Sequence, residues 1–187
     1  MRVLITTSHR PSVKLRVFIK ELAQAIPNSI RINRGKKTLQ DLYLEALNVN
    51  ADRLIIAGDF KGNPSTLTLY TVSKGFIKPK TLAHIILGGT KLLREIKDHV
   101  RIYNPSTLGI DITGMVKNDE VLKLTEVLSK GLHGKFVLKP EDYKKYDVII
   151  EIQSAVDSLC KLLFIEPRTG RVGGPILKVL KVHYFER

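Results

Sequence analysis

A chain of 187 residues with 43% hydrophobic and 26% charged side chains is long enough to bury its own core and is excluded from the disordered class, which pairs low hydrophobicity with high charge. Its single cysteine, Cys160, excludes a disulfide framework. Without a charged-then-apolar leader, and with no apolar run near the roughly 20 residues of a spanning helix, it is expected to be intracellular with no membrane partner. Thirty-one Lys and Arg against 18 Asp and Glu leave a net charge of +13, which calls for a polyanionic partner.

In chain order, residues 2–7 form a short apolar, β-branched run that reads as a strand, and Pro11-Ser12 leads into a helix. Its apolar positions Leu15, Phe18, Ile19, Leu22 and Ile26 recur at helical spacing. Phe18, Leu22 and Ile26 are core candidates opposite Lys14 and Lys20. Residues 29–32 read as a second strand, followed by the basic loop Asn33-Arg34-Gly35-Lys36-Lys37. Thr38 with Asp41 has the spacing of a capping box ahead of a helical face carrying Leu39, Leu42, Tyr43, Ala46 and Leu47. A strand is expected over 53–57, a turn over 58–64 and a strand over 66–72, after which Gly88-Gly89 and the polar stretch to Asn104-Pro105 read as a connection.

A similar order then recurs. Residues 108–113 read as a strand entering a glycine turn at Gly114, and Asn118 caps a helix whose positions Val121, Leu124, Leu128 and Leu132 share one face. Strands follow over 147–152 and 160–165, and the turn Arg168-Thr169-Gly170 returns the chain to a long alternating strand, 176–184. The paired strands begin at 53 and 66 in the first part and at 147 and 160 in the second, 13 residues apart each time. The expectation is an α/β fold in which 1–187 is one domain of two related halves, 1–90 and 105–187, joined by 91–104.

Charge is concentrated near the start. Residues 1–37 hold nine basic residues and one acid, Glu21, and so carry +8 of the +13. Thr7, Ser8 and Arg10 stand between a strand end and a helix start, where exposed amides attract phosphate. Lys14, Arg16 and Lys20 extend a basic ridge, and Arg31, Arg34, Lys36 and Lys37 surround Gly35 in a second basic loop. Parallel strands would place both loops on one sheet edge, with Arg10, Arg31 and Arg34 as anchors whose planar forks suit phosphate oxygens. The competing reading turns Arg31 inward or pairs it with Glu21 or Asp41. No catalytic set emerges: Ser8-His9 as neighbours lack the nucleophile, base and orienter geometry. The scattered His84, His99, His133 and His183 suggest no metal. Gly170-Arg171-Val172-Gly173-Gly174 lacks the ending of a phosphate loop, and Cys160 is expected to pack in the core.

The blocks 5–12 (Ile-Thr-Thr-Ser-His-Arg-Pro-Ser), Phe18 to Leu22, Ile26-Pro27-Asn28, Arg31 to Gly35, Ala51 to Ile56 and Gly62-Asn63-Pro64 resemble the opening of the Brix-domain family over roughly the first 75 residues. The carboxy-terminal half matches only weakly. The compact chain is similar to archaeal members, without the long charged tails of eukaryotic ones, which implies a cytoplasmic setting and not a nucleolus. Lys74 to Pro79 departs from the Gly-Pro-Thr segment common in the family, so no binding role is carried over to it. The resemblance implies two pseudo-repeated halves similar to the anticodon-binding domain of class IIa aminoacyl-tRNA synthetases. It also implies a non-enzymatic role in ribosome biogenesis, with precursor ribosomal RNA and ribosome-assembly proteins as partners and no cofactor. The alternatives are a stand-alone tRNA-binding accessory protein of the same fold and an RNA-modifying enzyme. The candidate RNA-binding residues are Thr7, Ser8, Arg10, Lys14, Lys20, Arg31, Arg34, Lys36 and Lys37.

Overall fold

The computed structural model describes residues 1–113 and 118–185, so the turn expected at Gly114 lies outside the described residues. Strand β1 (Val3–Thr7) is buried along its whole length. Both of its faces are covered, which is why it reads as a continuous run and not an alternation. Helix α1 (Val13–Ala25) begins behind Ser12, whose hydroxyl accepts from the Leu15 amide at 3.1 Å. The chain returns as β2 (Ser29–Arg31), parallel to β1. Helix α2 (Leu39–Asn48) starts at a full capping box: the Thr38 hydroxyl accepts from the Asp41 amide at 3.2 Å, and the Asp41 carboxylate accepts from the Thr38 amide at 2.8 Å. Strand β3 (Arg53–Phe60) lies parallel to β1 on its other side.

The antiparallel strands β4 (Asn63–Thr71) and β5 (Lys80–Lys91) follow. After a connection come β6 (Leu108–Asp111), α3 (Asp119–Leu132), β7 (Lys135–Val137), a 3-10 segment (Pro140–Lys145), β8 (Val148–Gln153), β9 (Cys160–Glu166), β10 (Arg171–Val172) and β11 (Ile176–Tyr184). The sheet order is β2-β1-β3-β4-β5-β11-β9-β8-β6-β7, with β10 beside β9. From either edge, three parallel strands are followed by antiparallel ones, and β5 meets β11 in the middle with His84 opposite His183.

Alternation along the strands assigns the layers. Val3 and Ile5 pack with Phe18, Ile19 and Leu22 of α1 and with Leu124 and Leu128 of α3, so both helices cover one face. Leu4 and Leu54 pack on the other face against Leu42 and Ala46 of α2. At the opposite end of that second face, Val137 and Ile149 pack against Tyr143 of the 3-10 segment. Helix α3 comes close to β4: a Cβ on Gly131 would stand 2.3 Å from Leu69. Among the described residues no helix is long and apolar enough to cross a membrane.

The structure departs from the sequence reading in three places. Gly88-Gly89 is part of β5, not of a connection. A Cβ on Gly88 would lie 2.7 Å from the Leu180 side chain, so the glycine makes room for the irregular register of β11. The turn expected over 58–64 shrinks to Lys61 and Gly62, with φ of 49° and 79°, the left-handed pair that joins twisted strands tightly. Strand β7 and the 3-10 segment fill a region in which the sequence showed no element. Phe18, Leu22 and Ile26 are all buried, at 0%, 2% and 1% exposure. The side-chain amide oxygen of Asn118 caps α3 by accepting from the Glu120 amide at 2.8 Å.

Candidate nucleic-acid interface

Strands β1 and β2 run the same way and end side by side, the Ile32 amide donating to the Ile5 carbonyl at 3.0 Å. Their following loops therefore emerge at the same sheet edge, beside the first turn of α1. Between them lies a depression of about 390 Å³ whose wall includes Thr7, Arg10, Arg16, Arg31, Asn33 and Arg34 and no Asp or Glu. Four arginines from three segments thus line one depression, and no carboxylate-bearing residue lines it.

Local contacts fix the loops. Arg10 precedes the helix in a left-handed conformation, φ 51°, which turns the chain sharply from β1 into Pro11. His9 bridges the loops: Nδ1 lies 3.3 Å from the Gly35 carbonyl and Nε2 lies 3.2 Å from the Arg34 guanidinium. A neutral ring protonated at Nδ1 satisfies both contacts, donating to the carbonyl and accepting from the guanidinium. The Nε of Arg34 donates to the Lys37 carbonyl at 2.7 Å. Burial draws the Arg34 pKa down from its ordinary value, with neighbouring Tyr70 opposing the shift, but an arginine keeps its charge. By contrast, Arg10, Arg16 and Arg31 make no side-chain hydrogen bond or ion pair among the described residues, which leaves their forks available.

The structure thus gathers Thr7, Arg10, Arg31 and Arg34 around one depression and directs the other candidates elsewhere. Ser8 ties the loop to β3, its amide donating to the Ala57 carbonyl at 2.7 Å. Lys14 reaches the β3–β4 hairpin and donates to the Asn63 side chain at 3.2 Å. Lys20 is exposed one turn beyond Arg16 on α1, and Lys36 is exposed at the loop tip. Lys37 is occupied by Glu45 at 3.2 Å and by the Asn33 carbonyl at 3.2 Å. Arg10 and Lys14 do not form a helical pair, because α1 begins only at Val13. The competing reading of Arg31 fails: Glu21 is buried and accepts from the Leu93 amide at 2.9 Å, and Asp41 is held by Thr38. Burial raises the Glu21 pKa against the opposing pull of that amide.

Residue spacing puts Arg16 only on the adjoining basic ridge and leaves His9 and Asn33 out of the site. For Arg16 a signal exists, since side chains tilt toward the amino end of their helix and a first-turn residue leans back over the preceding loop. For His9 there is none, as both of its partners lie in the second loop. Cys160 packs in the core, and burial pushes its thiol up to about 12. No group of three or more His, Cys, Asp or Glu that could hold a metal ion occurs among the described residues.

No protein-family model matches the chain. It is 33% identical over 178 residues to a Brix domain-containing ribosomal biogenesis protein of Methanopyrus kandleri, covering 90% of this chain and 88% of that protein. Proteins of the same name from Pyrococcus horikoshii and Thermococcus kodakarensis are 39% and 43% identical over 140 and 97 residues, covering 72% and 50% of this chain. The chain covers only 60% and 44% of their own lengths. Among solved structures, a ribosomal biogenesis protein of Aeropyrum pernix superposes with a TM-score of 0.80 at 26% identity, covering 96% of both chains. An archaeal Imp4-like protein shares the fold, with a TM-score of 0.69 at 19% identity over 97% of this chain and 99% of that one.

Proposed function

Since the chain belongs to the family of Brix domain-containing ribosomal biogenesis proteins, we propose that it is a non-enzymatic RNA-binding factor that holds precursor ribosomal RNA during processing and assembly in the cytoplasm. The observation that carries this reading is the carboxylate-free depression lined by Arg10, Arg16, Arg31 and Arg34. Arginine forks bind phosphate oxygens two at a time, and the amino end of α1, with no acid in its first turn, adds a favourable dipole. Such contacts grip the backbone without reading bases. Specificity for a site then comes from the shape of the RNA or from assembly proteins bound beside it. The reading extends to organisation: one domain, 1–187, of two halves, 1–90 and 105–187, joined by 91–104 and similar to anticodon-binding domains. Its support is the strand order that reads alike from both edges of the sheet.

The test is a titration of single-stranded RNA against wild type, Arg10→Ala, Arg34→Ala and the double variant at several salt concentrations, with circular dichroism to confirm folding. Affinity should fall steeply with salt. Each arginine removed should weaken binding and flatten the log–log slope by about 0.7. Folded variants with wild-type affinity and slope would overturn the assignment. Crosslinking in cells and sequencing of the bound RNA would separate ribosomal precursors from tRNA.

A further inference from the structure

The arginine depression accounts for phosphates and leaves an exposed aromatic side chain of the β3–β4 hairpin without a role. Phe60 stands at the tip of the β3–β4 hairpin with 68% of its surface exposed, although burying such a ring is worth about 1.5–3 kcal/mol. The tip is clamped to the start of α1. Asp59 accepts from the Ser12 amide at 3.0 Å, the Ser12 hydroxyl donates to the Gly62 carbonyl at 3.1 Å, and Lys14 donates to Asn63 at 3.2 Å. Ser12 is two residues from Arg10 and four from Arg16, so the hairpin tip and the depression share one anchor. The Lys61 ammonium lies 5.4 Å from the Phe60 ring centroid and adds positive charge at the ring.

We propose that Phe60 is a stacking platform for an unpaired base of the RNA whose backbone the arginines hold, so that the ligand is a single-stranded or bulged segment and not a continuous duplex. The inference rests on the RNA-binding reading above. Phosphate contacts do not distinguish paired from unpaired strands, whereas an aromatic face is open only to a base released from its stack. The turn conformation of Lys61 and Gly62 and the contacts through Ser12 hold the hairpin tip that carries the ring in place before binding, which lowers the ordering cost of the stack. The Lys61 ammonium lies over one face of the ring, so the base stacks on the other.

The experiment compares wild type, Phe60→Leu and Phe60→Trp on a short single-stranded RNA and on the same sequence as a blunt duplex, each across a salt series. Leucine keeps an apolar side chain and removes the π face. Phe60→Leu should weaken single-strand binding roughly five- to a hundredfold and leave the salt slope unchanged, because no phosphate contact is lost. Duplex binding should not move. The chain contains no tryptophan, so Phe60→Trp introduces a unique fluorophore whose emission should be quenched by the single strand and not by the duplex. The inference is overturned if Phe60→Leu binds the single strand as wild type does, weakens both RNAs equally, or if the tryptophan emission does not respond. If the Arg10 and Arg34 variants lose affinity while Phe60→Leu does not, stacking alone is wrong. If wild type binds neither RNA, the RNA-binding reading falls as well.

Discussion

Strands β1 and β2 have counterparts in β6 and β7, at the matching place near the opposite edge of the same sheet. The first region presents Arg10, Arg16, Arg31 and Arg34. In the second, the side chain at the end of β6 is an acid: Asp111 accepts from the Tyr143 hydroxyl at 2.5 Å and from the Thr113 amide at 2.8 Å. Burial and the neighbouring Asp111 both push the Tyr143 hydroxyl pKa up, so that contact stays a neutral donor on a carboxylate. Charge follows the same division, with 14 basic and 5 acidic residues in 1–90 against 13 and 11 in 105–187. The other ends of the strands are alike. Asp52, just before β3, accepts from the Arg2 amide at 3.1 Å, and Asp147, just before β8, accepts from the Ser106 and Thr107 amides at 2.9 and 3.1 Å. Strand anchoring is thus present in both regions, whereas among the described residues the arginine-lined depression belongs to the first, so topology supplies the loop positions and loop sequence supplies their charge.

Both regions draw on one continuous hydrophobic core. Phe18→Ala in α1 should cost about 3–5 kcal/mol and Leu124→Ala in α3 about 2–5 kcal/mol, since both side chains are fully buried in one continuous cluster. Chemical denaturation should remain a single transition in each. Two separate transitions would mean that the regions fold independently, and the contrast would then be one between domains.

A smaller effect sharpens the chemical contrast. Tyr143→Phe removes the donor to Asp111 and should cost about 1 kcal/mol of stability, the hydroxyl being only partly buried, while RNA affinity stays at its wild-type value. Loss of RNA binding in folded Tyr143→Phe would show that the second region also serves the ligand.

The smallest effect concerns the anchors. Hydrogen bonds from Ser106, and then from Thr107, hold the Asp147 carboxyl below its ordinary value. A carboxyl with a lowered folded-state pKa contributes stability that is full above its unfolded value, about 3.9, and is lost as pH falls through the folded value. Asp147→Asn should therefore melt below wild type at pH 7, and the two melting curves should converge as pH drops below about 4. The gap will be modest, because the group is close to solvent. A gap that is constant with pH would show that the anchor works by shape and not by charge.

Features that depend on near neighbours follow from the residue order alone. The caps at Ser12, Thr38 with Asp41, and Asn118 each join groups within three residues, and the buried faces of α1 and α3 follow from a period of 3.6. The two basic loops and their place after parallel strands were legible for the same reason, since charge runs and strand-to-helix turns are local. The tertiary structure decided the rest. Strand β5 reads as a loop through Gly88-Gly89 because the reason for glycine, the Leu180 side chain, is 92 residues away in β11. His9 joins the site only once Gly35 and Arg34 are brought to it, and Arg31 is left free because Glu21 is drawn inward to Leu93. These outcomes depend on which groups compete for the same space and the same hydrogen bond, and that competition is between segments brought together by the fold.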